Sequence, residues 1–266
     1  MPTLPLYQID AFTDRPFAGN PAAVCPVEHF PTDAVMQAIA AENNLSETAF
    51  VRARDDGDFD LRWFTPANEA RLCGHATLAT GHLVLGRLRP SADVARFHTL
   101  SGLLTVARGA DGALVMDLPA GDPQPCTAPA GLTEALGVTP EATFDGRYLM
   151  AVLPDAETVR AVKPDFGAIL RLGVYAICIT APGTGADADV HFVSRLFAPR
   201  AGIDEDPVTG SAHCQLMPYW TRRLGAKRLR ARQVSRRTGE LQCTLKGERV
   251  ELVGHAVEVI EGKLTW

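Results

Sequence analysis

The pattern of apolar and polar residues predicts a chain built mostly from short β-strands. Apolar and polar positions alternate in short runs bounded by glycine, proline, asparagine or aspartate, which is typical of half-buried strands joined by turns. In the first half these strands are predicted at Tyr7 to Phe12, through Glu47, and at Phe59 to Phe64, Val94 to Thr99, Leu103 to Ala107 and Leu114 to Leu118. In the second half they are predicted near Arg147 to Leu153, Val174 to Thr180, Asp189 to Phe197, Gln233, Gln242 and His255.

Helical periodicity is confined to five segments. They are a helix capped by Thr32 or Asp33 and ended by Asn43-Asn44, and helices near His75 to Leu88, Thr133 to Leu136, Phe166 to Leu172 and Ser211 to Leu224. The segment from His75 to Leu88 is apolar around most of its circumference, which predicts a buried helix wrapped by sheet. In the last segment Pro218 should kink or tighten the helix. Helices between mostly antiparallel strands predict an α+β fold, with curved sheets around central helices.

Two parts of the chain echo one another. Arg62-Trp63-Phe64-Thr65-Pro66 and Arg195-Leu196-Phe197-Ala198-Pro199 both read R-x-F-x-P, and each precedes a glycine turn that leads into an apolar helix. A period of about half the chain predicts an internal duplication with two similar domains, and chance similarity of two β-turn-α units is the alternative. The proline-rich stretch Pro119 to Pro129 is the best linker candidate. The predicted domains are therefore residues 1–118 and 119–266, with the last strand available to pack back on the first domain.

Composition and charge indicate a globular protein with no reason to bind nucleic acid. The 266 residues are 46% hydrophobic and 21% charged, with a net charge of −5. Eight basic residues lie within sixteen positions, at Arg222, Arg223, Lys227, Arg228, Arg230, Arg232, Arg236 and Arg237. This cluster lacks the interleaved aromatics of a single-strand binder, so a solvated helix end and its following strand is the favoured interpretation.

The chain carries no sequence feature of membrane insertion or of secretion. It has no run of eighteen apolar residues, and its first ten residues contain neither a basic region nor a signal-like apolar stretch, which predicts a cytoplasmic protein without a membrane partner. Its six cysteines are scattered without C-x-x-C spacing, which favours reduced thiols over disulfides or a zinc ribbon. The spacing of His75, His82 and His98 is poor for metal binding, so no metal site is predicted.

The candidate catalytic and binding residues lie at or near the two glycine turns. A helix N-terminus presents bare N–H groups, so Gly74 and Gly210 can hold a carboxylate or a developing enolate oxygen. Near these turns in sequence the proton-moving candidates are Glu47, His75 and Asp206. Each residue has a structural alternative: Glu47 can face solvent on a strand, His75 can cap or pack a helix, and Asp206 can make a local turn bond before Pro207. Nearby Cys73 is more often a small buried hydrophobe than a nucleophile.

Four motifs in the same order along nearly the whole chain resemble the phenazine-biosynthesis PhzF-like isomerases and epimerases. They are Asp10 to Val24 (DAFTDRPFAGNPAAV), Asn44 to Phe50 (NLSETAF), Cys73 to Thr77 (CGHAT) and Glu205 to Ala212 (EDPVTGSA). The resemblance implies a diaminopimelate epimerase-like fold: two pseudo-symmetric α+β domains, each a barrel-like sheet around a central helix, with the site between them and usually a homodimer. Thr238 departs from the family pattern, since many relatives have Gly or Pro there.

The resemblance also implies roles for individual residues. Glu47 matches the family's catalytic carboxylate, and His75 and Asp206 match its partner residues. Gly74, Gly210 and Ser211 match the positions that hold the substrate carboxylate. In the phenazine enzyme the acid removes a proton from one carbon of a dihydro-hydroxyanthranilate and a proton is returned at another, without a cofactor.

The leading hypothesis is therefore a cofactor-independent isomerase of a small carboxylate-bearing substrate, with Glu47 as acid and base. A second hypothesis is a two-base racemase or epimerase that uses Cys73, although the second turn has no matching thiol, and Cys214 lies one helical turn inside. A third hypothesis is a non-catalytic small-molecule-binding protein of the same fold.

Overall fold

A computed structural model describes all residues from Met1 to Trp266. The chain forms two compact units: unit 1 contains residues 1–117 and 252–266, and unit 2 contains residues 118–251. The sequence-based bounds of 1–118 and 119–266, with the last strand available to pack back on the first domain, differ from these units at Leu118 and in the last fifteen residues. Strand β18 (Ala256–Thr265) pairs antiparallel along the whole of β1 (Thr3–Ala11), so the end of the chain is an integral part of unit 1.

The chain alternates short strands with a few helices. The elements of the first half are β1, β2 (Asn20–Val27), α1 (Asp33–Asn43), β3 (Glu47–Ala53), β4 (Phe59–Phe64), β5 (Glu69–Ala70), α2 (Gly74–Leu83) with a π-helical turn (Val84–Leu88), β6 (Val94–Thr99), β7 (Gly102–Arg108) and β8 (Leu114–Pro119). The elements that follow are β9 (Gln124–Pro125), α3 (Leu132–Leu136), β10 (Ala142–Asp145), β11 (Leu149–Val152), α4 (Ala156–Ala161), α5 (Phe166–Arg171), β12 (Ile177–Pro182), β13 (Phe192–Ala198), β14 (Ile203–Asp206), α6 (Gly210–Leu224), β15 (Arg228–Gln233), β16 (Gly239–Lys246), β17 (Arg249–Gly254) and β18. Short 3₁₀ turns occur at Ala110–Gly112, Gly185–Asp187 and Pro199–Ala201.

Strand pairing follows the same order in both units. In unit 1 the pair β1–β2 is antiparallel, β2–β3 parallel, β3–β4 and β4–β5 antiparallel, β4–β6 parallel and β6–β7 antiparallel. In unit 2 the series β10–β11, β11–β12, β12–β13, β13–β14, β13–β15 and β15–β16 repeats this order of directions without exception. The predicted fold class, two similar and mostly antiparallel α+β units, is confirmed, and the repeated order supports an internal duplication.

The R-x-F-x-P echo has the same local structure in both units. Arg62 on β4 forms a bidentate ion pair with Glu69, at 2.7 and 2.8 Å, and its guanidinium lies 5.2 Å from the ring centre of Phe64. Arg195 on β13 pairs in the same way with Glu205, at 2.7 and 3.0 Å, and lies 4.9 Å from the ring of Phe197. Bidentate arginine pairs fix geometry as well as charge. Each motif therefore fastens the short hairpin that leads to a helix N-terminus.

Each unit encloses one of the two long helices that follow these hairpins. Every residue of α2 except His82 is buried, which confirms the predicted buried helix, and its last turn relaxes into the π-helical segment. Helix α6 buries its first eight residues and Trp220, and it continues through Pro218 as one helix. Both helices begin in the interior, so their N-terminal N–H groups lie away from bulk water.

Several elements differ from the sequence-based prediction. Strand β2 was not predicted, and neither was the short helix α4, although Asp155 caps it by accepting the N–H of Thr158 at 2.7 Å. Four closing strands replace the three predicted ones. The doubtful turn at Thr238 adopts a left-handed conformation with φ of 58°. No helix has the length and apolar character needed to span a bilayer.

Candidate active site

In unit 1, the Glu47 carboxylate and the His75 imidazole lie close together. Glu47 is the first residue of β3 and pairs with Ala22 of β2, while His75 is the second residue of α2. The Nε2 atom of His75 lies 3.2 Å from Oε2 of Glu47, with 4% of the imidazole and 15% of the carboxylate side chain exposed. The start of the strand and the start of the central helix thus bring two predicted site residues into contact.

Asn20 contacts the other ring nitrogen of His75. Its side-chain Nδ2, which can only donate, lies 3.0 Å from Nδ1 of His75. Nδ1 must therefore accept, which places the ring proton on Nε2, facing Glu47. The protonated ring nitrogen of His75 therefore lies 3.2 Å from the Glu47 carboxylate oxygen Oε2.

Burial keeps this imidazole neutral. The loss of hydration lowers the pKa of His75 to about 3. At neutral pH the ring carries one proton, on the nitrogen that lies 3.2 Å from Glu47 Oε2. His75 is consequently suited to orient and stabilise a carboxylate, and it has no additional proton to give as a second acid.

A tight loop places Asn20 at the start of β2. Gly19 has φ of +63°, and a Cβ atom there would overlap the carbonyl oxygen of Ala11. The Asp10 carboxylate accepts the N–H of Phe17 at 2.8 Å, which holds the loop from its other side. Only glycine satisfies both the left-handed conformation and the close approach. The DAFTDRPFAGNP motif therefore serves to present the amide of Asn20.

Cys73 is the N-cap residue of α2. Its Sγ accepts the N–H of Ala76 at 3.4 Å and lies 3.6 Å from Nδ1 of His75. Glu47, Cys73 and His75 offer potential metal ligands within 4.8 Å of one another. Nδ1 is the His75 nitrogen beside Cys73 and Nε2 is the one beside Glu47.

In unit 2, Asp206 lies at the end of β14 and is linked to the N-cap of α6. The hydroxyl of Thr209 donates to Asp206 Oδ2, so Thr209 makes no side-chain cap on the helix. The first N–H groups of α6, including those of Gly210 and Ser211, thus lack an acceptor from the N-cap side chain. A buried helix N-terminus of this kind favours an anion.

Gln233 and Ser235 on and after β15 hold the turn from Asp206 to Thr209. The fully buried amide of Gln233 donates to the carbonyl of Asp206 at 2.7 Å and accepts the N–H of Thr209 at 2.8 Å. The Ser235 hydroxyl donates to the carbonyl of Pro207 at 2.8 Å. Both ends of the turn are therefore fixed by one side chain from a neighbouring strand.

Ser211, one residue into α6, has a tyrosine as its partner. The phenol oxygen of Tyr148 lies 2.8 Å from Ser211 Oγ, and both residues are buried. Burial raises the pKa of Tyr148 to about 12, an effect that the charge of Arg147 and the bond to Ser211 reduce and the nearby Asp206 carboxylate increases. The phenol is therefore protonated at neutral pH.

The repeated pairing order shows that the two units carry different chemistry at equivalent positions. Thr48 pairs with Phe64 of β4 as Ile177 pairs with Phe197 of β13, so Ala176 stands at the position equivalent to Glu47. Thr209 is the N-cap of α6 as Cys73 is that of α2. Ser211 occupies the second helical position, which in unit 1 belongs to His75. The pair of Glu47 and His75 thus has no counterpart in unit 2, which agrees with the asymmetry of the sequence motifs.

The structure groups the predicted site residues into two sets. Unit 1 brings Glu47, Gly74 and His75 together, and unit 2 brings Asp206, Gly210 and Ser211 together. Sequence reasoning missed Asn20, Tyr148 and Gln233. The Gly-Asn-Pro segment contained a signal for Asn20, whereas nothing in the local sequence distinguished Tyr148 or Gln233.

Comparison with known proteins identifies the family. A family model described as phenazine biosynthesis-like protein (PhzC-PhzF) matches residues 9–262. An uncharacterized isomerase of Pseudomonas aeruginosa is 49% identical to this chain over 98% of both proteins. The crystal structure of a PhzF-family phenazine biosynthesis protein from Enterococcus faecalis covers 100% of both chains with a TM-score of 0.93 and 41% identity.

The fold extends to more distant enzymes. A hydroxyproline epimerase from Agrobacterium vitis has a TM-score of 0.71, covers 98% of this chain and 92% of its own, and shares 10% identity, which shows a common fold. With a family match over nearly the whole chain and relatives that carry the name isomerase, this chain belongs to the phenazine biosynthesis-like PhzF family of isomerases.

Proposed function

We propose that this isomerase moves a proton between two carbons of a small carboxylate-bearing substrate, with Glu47 as both acid and base and without a cofactor. The observation that carries the proposal is the Glu47–His75 pair, in which Asn20 fixes the ring proton on the nitrogen that faces the carboxylate. A positioned carboxylate with a neutral donor beside it is suited to accept a proton and return it.

The proposed cycle leaves the protein unchanged. The Glu47 carboxylate takes a proton from a carbon of the substrate, and the electron pair of the broken C–H bond enters a conjugated enol or enolate. The Glu47 carboxylic acid then returns the proton to a second carbon, which shifts the double bond. The His75 Nε2–H stabilises the carboxylate before and after the cycle, and Asp206 assists as the family partner residue.

The carboxylate group of the substrate is assigned to the helix N-termini. Gly74 and Gly210 would donate backbone N–H groups, and Ser211 would add its hydroxyl. A homodimer and a cytoplasmic location stay predictions, and light scattering would test the first by a mass twice that of the 28.6-kDa chain.

The test is deuterium incorporation in heavy water. A dihydro-hydroxyanthranilate is the first substrate to try, followed by a panel of hydroxy- and amino-carboxylates, with exchange at carbon followed by NMR and mass spectrometry. Glu47→Gln is expected to lower the exchange rate by about 10²-fold or more, while Glu42→Gln, at an exposed position of α1, should leave it unchanged. Full exchange by Glu47→Gln would contradict the mechanism.

The thiol-based racemase has less structural support. Cys73 is 4% exposed and caps its helix, and Thr209, an alcohol, occupies the equivalent N-cap in unit 2. Thiol alkylation and the variant Cys73→Ala separate the two mechanisms. Alkylation would inactivate an enzyme that uses Cys73 as its base, whereas an enzyme that uses Glu47 would stay active in Cys73→Ala. Cys126, the one cysteine that is not buried, provides the control site for modification. A binding protein without turnover would bind carboxylates but give no exchange with any member of the panel.

A further inference from the structure

We propose that Tyr148 is a positioning residue that turns the Ser211 hydroxyl into a hydrogen-bond donor toward the substrate, so that the site selects an ionised carboxylate over its amide. This inference rests on the proposed function, which assigns Ser211 to the carboxylate of the substrate. It adds a residue for which the sequence motifs give no role.

The 2.8 Å bond between Tyr148 and Ser211 has a preferred direction. Both groups are hydroxyls and either could donate. A phenol is more acidic than an aliphatic alcohol, so it is the better donor and the poorer acceptor. Tyr148 therefore donates to Ser211 Oγ, and the single proton of Ser211 must point elsewhere.

The main chain at Tyr148 is fixed independently of its hydroxyl. Gln215, one turn further along α6 than Ser211, accepts the N–H of Tyr148 at 3.0 Å and donates to its carbonyl at 2.8 Å. Gly146 makes this close packing possible, because a Cβ there would lie 2.9 Å from the side-chain amide of Gln215. Helix α6 thus holds the main chain of the tyrosine at two points, and its buried ring stacks on Tyr175 with ring centres 6.3 Å apart.

As a consequence, α6 and Ser211 offer only donors to a ligand at the start of the helix, while the neighbouring Asp206 carboxylate accepts from the Thr209 hydroxyl. The helix contributes N–H groups. Ser211 contributes its O–H, which is not used in the bond to Tyr148 because Ser211 Oγ accepts in that bond. A carboxylate, which only accepts, satisfies all of these groups. A carboxamide would place an NH₂ against one of them and lose a hydrogen bond.

Neutron diffraction on the deuterated protein tests the bond direction without a ligand. The deuterium between the two oxygens is expected on Tyr148, with the Ser211 deuterium directed away from it. A deuterium attached to Ser211 and pointing at Tyr148 would overturn the proposal.

Binding measurements test the consequence with defined probes. The probes are 3-hydroxyanthranilate, the aromatic analogue of the family substrate, and its amide, titrated by calorimetry. Tyr148→Phe is expected to raise Kd of the acid about 3- to 10-fold and to reduce the preference for acid over amide, since Ser211 can then rotate and accept. In the Ser211→Ala background the same change should add nothing. Tyr219→Phe, at the exposed end of α6 where the phenol contacts Arg223, is the matched control.

The outcomes separate this inference from the proposed function. The positioning role would be refuted if Tyr148→Phe raised Kd of the acid by the same factor with and without Ser211→Ala. It would also be refuted if Tyr148→Phe left the preference for acid over amide unchanged. Either result would leave a Glu47 mechanism intact. The proposed function would fail if the wild-type protein bound neither probe and incorporated deuterium into none of the carboxylates tested. The neutron result would still decide the direction of the Tyr148–Ser211 bond. With an accepted substrate, KM should rise in Tyr148→Phe while kcat changes less than about twofold.

Discussion

The Nε2 atom of His75 lies 3.2 Å from Oε2 of Glu47, and the amide of Asn20 fixes which nitrogen of the ring carries the proton. Three residues from three elements thus lie in a row, with the Asn20 amide bonded to the imidazole and the imidazole beside the carboxylate. Because His75 is buried, its pKa is lowered to about 3 and its ring is neutral at physiological pH.

Asn20→Asp should reverse the tautomer of His75. A carboxylate at this position can only accept, so Nδ1 would take the proton and the lone pair of Nε2 would face Glu47. We expect turnover to fall by about 10²-fold, with the ¹⁵N shifts of His75 exchanging their protonated and unprotonated positions. Asn68→Asp, in an exposed loop, is the control. An unchanged tautomer with lost activity would assign Asn20 a different role.

Acid should weaken the protein before its carboxylates titrate. Burial lowers the pKa of His75 to about 3 and of His213 to about 4, below the unfolded value of about 6.5. Between these values the unfolded state binds more protons than the native state, so stability falls as pH decreases from about 6.5 towards 4, by about 1.4 kcal/mol per pH unit for each histidine.

Urea unfolding at several pH values measures this dependence. His213→Gln is expected to reduce the slope of stability against pH in this window, whatever its effect on stability at pH 7. His29→Gln, at an exposed position, should retain the wild-type slope. A slope unchanged by His213→Gln would mean that this ring can be protonated in the folded state.

Asp187 should be the most sensitive carboxylate for the stability of unit 2. Its side chain is 1% exposed and accepts from Arg160 at 2.6 and 2.8 Å and from Arg232 at 2.8 Å. Asp187→Asn removes the negative charge that balances the charges of Arg160 and Arg232. It should lower the free energy of unfolding by about 3 kcal/mol. Asp189→Asn, half exposed and also bound to Arg232, should cost less than about 1 kcal/mol. Equal losses in chemical denaturation would argue against a special role of burial.

Thr238 should tolerate replacement better than an ordinary threonine. Its φ of 58° lies in the left-handed region, which a β-branched residue enters at a cost of about 1 kcal/mol or more. Thr238→Asn is expected to raise stability by about 0.5 to 1 kcal/mol, since asparagine adopts this conformation more readily. Thr105→Asn within β7 should lower stability, because asparagine is less favourable than threonine in a strand. Thermal unfolding of both variants decides the point.

Local patterns in the sequence predicted much of the fold. Helix α1 begins after its cap Thr32 and ends before Asn44, which is left-handed as expected of a terminating asparagine. The uniformly apolar segment after Gly74 became the central helix of unit 1. The R-x-F-x-P echo marked equivalent strands in two units with the same pairing order. These features were readable because caps, periodicity and motif spacing depend on residues within a few positions of one another.

The sequence by itself thus determined the two-unit α+β fold, the asymmetry of the two glycine turns and the candidates Glu47, His75 and Asp206. The tertiary structure decided which side chains control them: Asn20 reaches His75 across 55 positions, and Tyr148 reaches Ser211 across 63. Periodicity tells which face of a strand or helix is buried, but it does not tell which distant polar group will meet it there. Those partners exist only once strand register and helix packing have brought separate segments within hydrogen-bond distance.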